Sequence, residues 1–380
     1  MYNITGYGKM IADKLRMRAY VEALRRAVHP HSIVLDIGTG TGIFALLACQ
    51  FGAHKVYAVD PSDAIQIARE SAAANGYAER IEFIQDVSTN ITLPERADVI
   101  ISDLRGVLPC FGRHLPAIID ARHRLLAPEG RLIPQRDVLW VAVADAPDLY
   151  CRYTAPSDED SYGLDMQAAR RIAVNRWNKV RGRPEQVLLE PQSWATLDYT
   201  GVSSPNVSGA VAWTVSRSGT GHGLLVWFDA MLAEGVAISN SPAEPELIYG
   251  SAFFPWPKPV TLAAGDRVSI SLHADLIRED YSWRWDSAVQ DHTGRVKASF
   301  NQSSFFGMAL SPARLRKCAD SYVPTLNEDG EIDEFVLARM TGQTSLADIA
   351  RQLSDHFPSR FADQQQALVR ASELSEKYSR

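Results

Sequence analysis

The chain has 380 residues, of which 46% are hydrophobic and 22% charged, with a net charge of −6. That length exceeds one average core and predicts two or three domains. The composition excludes a disordered chain, and the acidic balance argues against a surface built for polyanions, so no nucleic-acid partner is expected. Cys49, Cys110, Cys151 and Cys318 are scattered without a CxxC pair, which leaves no zinc site or disulfide framework to expect. The N-terminal residues show no basic segment leading into an apolar one. No run approaches the roughly 20 apolar residues of a membrane helix, so a cytoplasmic protein is expected.

In chain order, Met17, Val21, Leu24 and Val28 predict one face of an amphipathic helix. Short apolar runs then alternate with helical periodicity up to residue 133. Strands are expected at Ile33–Ile37, Lys55–Val59, Ile81–Ile84, Asp98–Ser102 and Arg131–Pro134, with helices at Gly42–Phe51, Ser62–Asn75 and Leu115–Leu126. This is the pattern of βαβ units around a parallel sheet. From 134 to 318 the pattern turns β-rich. Val138–Val143, Gly209–Val215, Leu224–Phe228, Val260–Leu262 and Val268–Leu272 predict an antiparallel barrel or sandwich. A helical insert near Asp165–Trp177 interrupts it. Residues 319–380 read as a small helical module: Ile332–Met340, a helix opened by a capping box at Ser345-Leu346-Ala347-Asp348, and Ala362–Tyr378.

The most informative stretch is Asp36-Ile37-Gly38-Thr39-Gly40-Thr41-Gly42. A strand runs into glycines and then a helix, so the backbone can approach a ligand at a helix N-terminus. The spacing is GxGxG rather than the GxGxxG of dinucleotide sites. A carboxylate at Asp36 suits a cationic amino-acid ligand better than a pyrophosphate, which it would repel. Asp60, followed by Pro61, lies about twenty residues after the glycines, where an acid can accept from ribose hydroxyls; it can equally cap the following helix. Asp86 and Val87 could receive an adenine ring or form a plain turn.

These residues resemble the class I S-adenosylmethionine-dependent methyltransferases, and the surrounding chain is similar to the protein arginine methyltransferase family. Met10 and Arg16 stand where that family places a methionine near the sulfonium and an arginine on the ligand carboxylate. Ser161-Tyr162-Gly163-Leu164-Asp165-Met166 looks like the start of its dimerisation arm. The resemblance implies a Rossmann-like donor-binding domain (1–133), a β-barrel substrate domain (134–318) with an arm near 151–185, S-adenosylmethionine as cofactor, and a homodimer.

The family clamps its acceptor guanidinium between two glutamates. Here Asp103 stands in the place of the first and Gly112 in that of the second, so the bidentate carboxylate grip is incomplete. The barrel's threonine-histidine-tryptophan loop aligns with Leu247-Ile248-Tyr249, which has no imidazole. Asp103 is the candidate to hold or deprotonate an acceptor, and His114 the candidate general base or else a surface histidine. Arg105 and Arg113 read as ligands for an anionic group or as solvated charges. Tyr249, Trp256 and Tyr281-Ser282-Trp283-Arg284-Trp285 read as a substrate groove or as barrel core. The C-terminal module weakly resembles the peptide-binding winged helix of pyrroloquinoline quinone biosynthesis, which would imply a peptide acceptor; otherwise it is a helical cap. The acceptor class expected is a peptide, protein or small molecule. A cofactor-binding scaffold without catalysis, or an atypical arginine methyltransferase, are the alternatives.

Overall fold

A computed structural model describes residues 4–155 and 162–379. These form two compact units, Met1–Ala309 and Leu310–Arg380, so the last division falls ahead of residue 318.

The first unit opens with helices α1 (Ile4–Ala12) and α2 (Lys14–Ala27). The helical break falls at Asp13, whose carboxylate accepts from Arg16 N at 3.1 Å and so caps α2. The buried stripe of α2 is Arg16, Tyr20, Ala23, Leu24 and Ala27. It is rotated from the expected Met17–Val21 face because a buried cation, invisible to an apolar count, belongs to it.

Next come β1 (Ile33–Ile37), α3 (Ile43–Gln50), β2 (Lys55–Val59), α4 (Ala64–Ala74), β3 (Ile81–Ile84), β4 (Ala97–Ser102), α5 (His114–Arg124) and β5 (Leu126–Ile133). The strands form one sheet in the order β3-β2-β1-β4-β5, every pairing parallel. The apolar runs of β1 and β2 are buried almost throughout, as a doubly covered parallel sheet requires. The chain order reverses between β1 and β4, and the crevice beyond their C-terminal ends is where such sheets bind ligands.

The β-rich part contains β6 (Arg136–Ala144), α6 (Pro147–Thr154), α7 (Gln167–Ala173), β7 (Asn178–Val180), β8 (Gln192–Asp198), β9 (Val207–Thr214), β10 (Gly219–Ala233), β11 (Val236–Ser239), β12 (Ser251–Leu262), β13 (Arg267–Ile277), β14 (Asp280–Gln290) and β15 (Val296–Ser303). They make two antiparallel sheets, β7-β12-β10-β6-β8 with β11 on β10, and β15-β14-β13-β9. Phe254 of β12 meets Trp283 and Trp285 of β14 at ring separations of 5.4 and 5.0 Å, packing sheet on sheet. The alternating aromatics of β14 are therefore core. On the other face of the first sheet, Leu149 and Tyr150 of α6 cover Ala142, Leu225 and Trp227, which explains the unbroken burial of β10 from Gly221 to Phe228.

The arm-like sequence has Tyr162 98% and Leu164 67% exposed, and its Ser161 lies outside the described residues. The second unit holds α8 (Pro312–Lys317), α9 (Glu328–Leu337), α10 (Leu346–His356) and α11 (Gln364–Tyr378). The last three enclose their own core of Ile332, Val336, Ile349, Leu353, Ala371 and Leu374. Ser345 Oγ accepts from Asp348 N at 3.2 Å, while its hydroxyl donates to the Asp348 carboxylate at 2.8 Å. Among its described residues the unit has no strand, so the wing of a winged helix is not formed there; the link from α10 to α11 is short and carries Pro358. No described helix is long and apolar enough to cross a membrane.

Candidate active site

The glycine loop is stapled by its own two acids. Asp36 Oδ2 accepts from Thr39 Oγ1 at 2.7 Å and from Ala45 N at 3.1 Å, tying the end of β1 to the start of α3. Asp60 Oδ2 accepts from Gly40 N at 2.8 Å, and its Oδ1 accepts from Ser62 N and Oγ at 2.8 and 2.5 Å. Asp60 thus serves as both cap and loop anchor, and a carboxylate with about four acceptor sites still has one to offer. Asp36 Oδ1 is buried without a hydrogen bond. Burial pushes the Asp36 carboxyl up to about 7, against the opposing pull of its Thr39 and Ala45 bonds.

Gly40 has φ +53° and Gly42 φ +86°, both left-handed. A Cβ on Gly42 would stand 2.8 Å from the Ala68 Cβ, and one on Gly40 would overlap the Tyr7 ring. Tyr7 of α1 therefore lies over the loop. In the sequence only its i, i+3 spacing with Met10 marks it, which carries no sign of contact with the loop.

Beside the loop is a cavity of about 240 Å³ lined by Gly38, Pro61, Asp86, Val87, Leu104 and His114, among others. Asp86 Oδ1 accepts from Val87 N at 2.6 Å and from Asn90 Nδ2 at 3.0 Å. The structure thereby brings together Gly38, Pro61, Asp86 and Val87, with Thr39, Gly40, Gly42 and Asp60 forming the adjoining loop. The lining supplies a mainly apolar slot with a carboxylate at its edge, which suits a purine-sized ring.

Met10 and Arg16 lie on separate helices yet meet, Arg16 Nη1 donating to the Met10 carbonyl at 3.1 Å. Arg16 Nη1 also donates to Met17 Sδ at 3.3 Å and Nε to Tyr249 Oη at 3.0 Å, but the main partner of the guanidinium is Asp103. Its Nε and Nη2 donate to Asp103 Oδ2 at 2.8 and 2.5 Å, with Phe44 and Tyr20 rings stacked about it at 5.4 and 5.1 Å. Tyr249 Oη donates to the same Oδ2 at 2.6 Å. Burial works against the charge on Asp103, but Arg16 and Arg105, with the Tyr249 and Arg16 bonds, hold the carboxyl below its ordinary range. For Arg16, burial is likewise outweighed by Asp103, and its pKa is raised. Asp103 is thus a buried, ionised carboxylate at the end of β4, with Oδ1 free of hydrogen bonds. Such a group can orient an acceptor N–H or O–H.

His114 is not on the surface. It is fully buried, with Nε2 3.0 Å from Tyr199 Oη, which in turn donates to Asp137 Oδ2 at 2.5 Å. Burial, reinforced by the Arg105 charge and opposed by Asp103, pushes its pKa down to about 3. A neutral imidazole that weak accepts little proton density at physiological pH. Arg105 is neither solvated nor free for an external anion; it is 1% exposed and lies 3.4 Å from Asp137 Oδ1 and 3.7 Å from Asp103 Oδ1. Arg113 is exposed and pairs with Glu279 at 2.9 Å. Gly112 has open space where a side chain would stand. Asp13 also joins the two layers, accepting from Ile248 N at 2.8 Å. Among the described residues, no group of three or more His, Cys, Asp or Glu side chains could hold a metal ion.

Comparison with known proteins adds independent observations. The family model for ribosomal protein L11 methyltransferase (PrmA) matches residues 18–133, and that for the arginine methyltransferase oligomerization subdomain matches residues 140–287. Protein arginine N-methyltransferase 6 of Xenopus tropicalis is 31% identical over 256 residues, 63% of this chain and 74% of that protein. Probable protein arginine N-methyltransferase 6 of Arabidopsis thaliana is 30% identical over 247 residues, and the match spans 62% of this chain and 55% of that protein. In fold, the chain is similar to the crystal structure of Arabidopsis thaliana protein arginine methyltransferase 10, with TM-score 0.69 and 23% identity over 79% of this chain and 97% of that one. The chain belongs to the protein arginine N-methyltransferase family of S-adenosylmethionine-dependent methyltransferases.

Proposed function

We propose that the chain binds S-adenosylmethionine across the glycine loop and the neighbouring cavity, and transfers its methyl group to a nitrogen or oxygen of a peptide, protein or small-molecule acceptor. The observation that carries this reading is the 240 Å³ cavity lined by Gly38, Pro61, Asp86 and Val87 at the edge of a loop stapled by Asp36 and Asp60. In this reading the adenine lies against Val87 with its amino group toward Asp86, the ribose hydroxyls meet the remaining acceptor site of Asp60, and Tyr7 and Met10 cover the donor. Arg16 pins Asp103 more than it grips the donor's carboxylate. Methyl transfer from a sulfonium is an in-line displacement, for which positioning and exclusion of water supply much of the rate. Asp103 acts on the acceptor side through its charge, its Oδ1 being faced by Arg105, and His114 supports it as part of the Tyr199–Asp137 chain. The protein works in the cytoplasm as a homodimer, a state consistent with the oligomerization-subdomain match.

A second reading, a cofactor-binding scaffold that does not catalyse, is favoured by one feature: Gly112 has no carboxylate to add to that of Asp103. Labelled S-adenosylmethionine incubated with the chain and cell extract separates the two. Label in a protein, peptide or metabolite located by mass spectrometry supports transfer. Cofactor binding with no label transferred to any acceptor would leave the scaffold.

A further inference from the structure

The one carboxylate oxygen of Asp103 left without a hydrogen bond is faced by the chain's own guanidinium. Arg105 Nε lies 3.7 Å from Asp103 Oδ1, and its Nη1 lies 3.4 Å from Asp137 Oδ1. Its Cζ stands 5.1 Å from the centre of the Phe228 ring. Two carboxylates and an aromatic face are the groups a protein uses to receive a guanidinium. Yet none of the three Arg105 nitrogens makes a hydrogen bond, and neither do Asp103 Oδ1 and Asp137 Oδ1. The cation fills the space by charge and shape rather than by being tied into the backbone.

The charges close on themselves. Arg16 and Arg105 face Asp103 and Asp137, and all four side chains are buried; burial raises the Asp137 carboxyl against the pull of Arg105 and the Tyr199 bond, so the cluster holds no spare negative charge. A further cation entering beside Asp103 would be buried without a counter-charge, which is among the costliest arrangements in a protein interior.

We propose that Arg105 is a built-in occupant of the cation site next to Asp103, and that it restricts the methyl acceptor to electrically neutral groups. This rests on the reading of Asp103 as the acceptor-side carboxylate. Removing the plug would expose two carboxylates to an incoming guanidinium and convert the acceptor preference.

The test compares the native chain with Arg105→Ala and with the volume-conserving Arg105→Met. S-adenosylhomocysteine binding to the native chain is measured first, and reports on the donor reading alone. Thermal unfolding is then followed with methylguanidinium chloride against sodium chloride at equal ionic strength. Labelled transfer is measured to an arginine-containing peptide. The expected result is that methylguanidinium raises the midpoint of Arg105→Ala, or restores its fold if it is unfolded alone, and leaves the native chain unchanged. Peptide labelling should rise at least about tenfold over native in one of the two variants. Arginine labelling by the native chain would overturn the proposal. So would variants that bind S-adenosylhomocysteine yet neither respond to methylguanidinium nor label the peptide.

Discussion

Substituting Gly40 with alanine tests the glycine loop at its most constrained point. Gly40 sits at φ +53°, a left-handed conformation that costs a residue with a Cβ roughly 1–2 kcal/mol. The added methyl would also overlap the Tyr7 ring, so α1 must shift off the loop or the loop must shift off Asp60, whose bond to Gly40 N is 2.8 Å long. Where each 1.4 kcal/mol is a factor of ten, these two effects together predict that Gly40→Ala lowers S-adenosylhomocysteine affinity at least about tenfold. Global stability should fall by only about 1–3 kcal/mol. Titration calorimetry reads the first number and urea unfolding the second. Adding Tyr7→Ala should remove the steric part of the stability loss and leave the backbone part. Native affinity in a folded Gly40→Ala chain would refute the reasoning, because a ligand indifferent to this loop does not lie across it.

Three further outcomes are expected. Asp103→Asn leaves Arg16 and Arg105 sharing one buried carboxylate, Asp137, and should cost about 3–5 kcal/mol in urea unfolding together with methyl transfer; a loss under about 1 kcal/mol would mean the cluster is not sealed from water. Tyr249→Phe removes the 2.6 Å donor to Asp103 and should lower stability by about 1–2 kcal/mol and slow transfer while leaving S-adenosylhomocysteine affinity unchanged; a change confined to affinity would place Tyr249 on the donor side instead. For pH, the folded His114 pKa of about 3 lies below the ordinary 6.5, so the unfolded chain binds more protons in between and stability falls as pH drops through that window. His114→Gln should recover about 2 kcal/mol of the native chain's loss between pH 7 and pH 5, measured by urea unfolding at both values. An identical pH slope in the two proteins would show that the folded imidazole titrates as it does in the unfolded chain.

The parallel sheet and its loop were legible because their signals are local. Buried strands read as short apolar runs, and the Gly38–Gly42 turn declares itself within five residues of β1. The last three helices were legible for the same reason, through local apolar spacing and the cap at Ser345; the caps at Asn327 and Asp363 add to this in the structure. The electrostatic centre was not. Asp103 meets Arg16 across 87 positions and Tyr249 across 146, and no spacing rule spans such distances. Arg105 looked like a solvated loop charge because Asp137, its partner, arrives from the first strand of another layer. His114 read as a general base or else a surface histidine because its burial depends on Tyr199, 85 positions away. In each case the residue type was noticed and its environment, set by tertiary packing, decided what it does.

The central claim is that the loop stapled by Asp36 and Asp60 holds S-adenosylmethionine rather than a dinucleotide, and calorimetric titration of the unaltered chain with S-adenosylhomocysteine and, separately, with NAD tests it most directly. Saturable binding of S-adenosylhomocysteine with no heat from NAD is the expected result. Saturable binding of NAD with none of S-adenosylhomocysteine would contradict it.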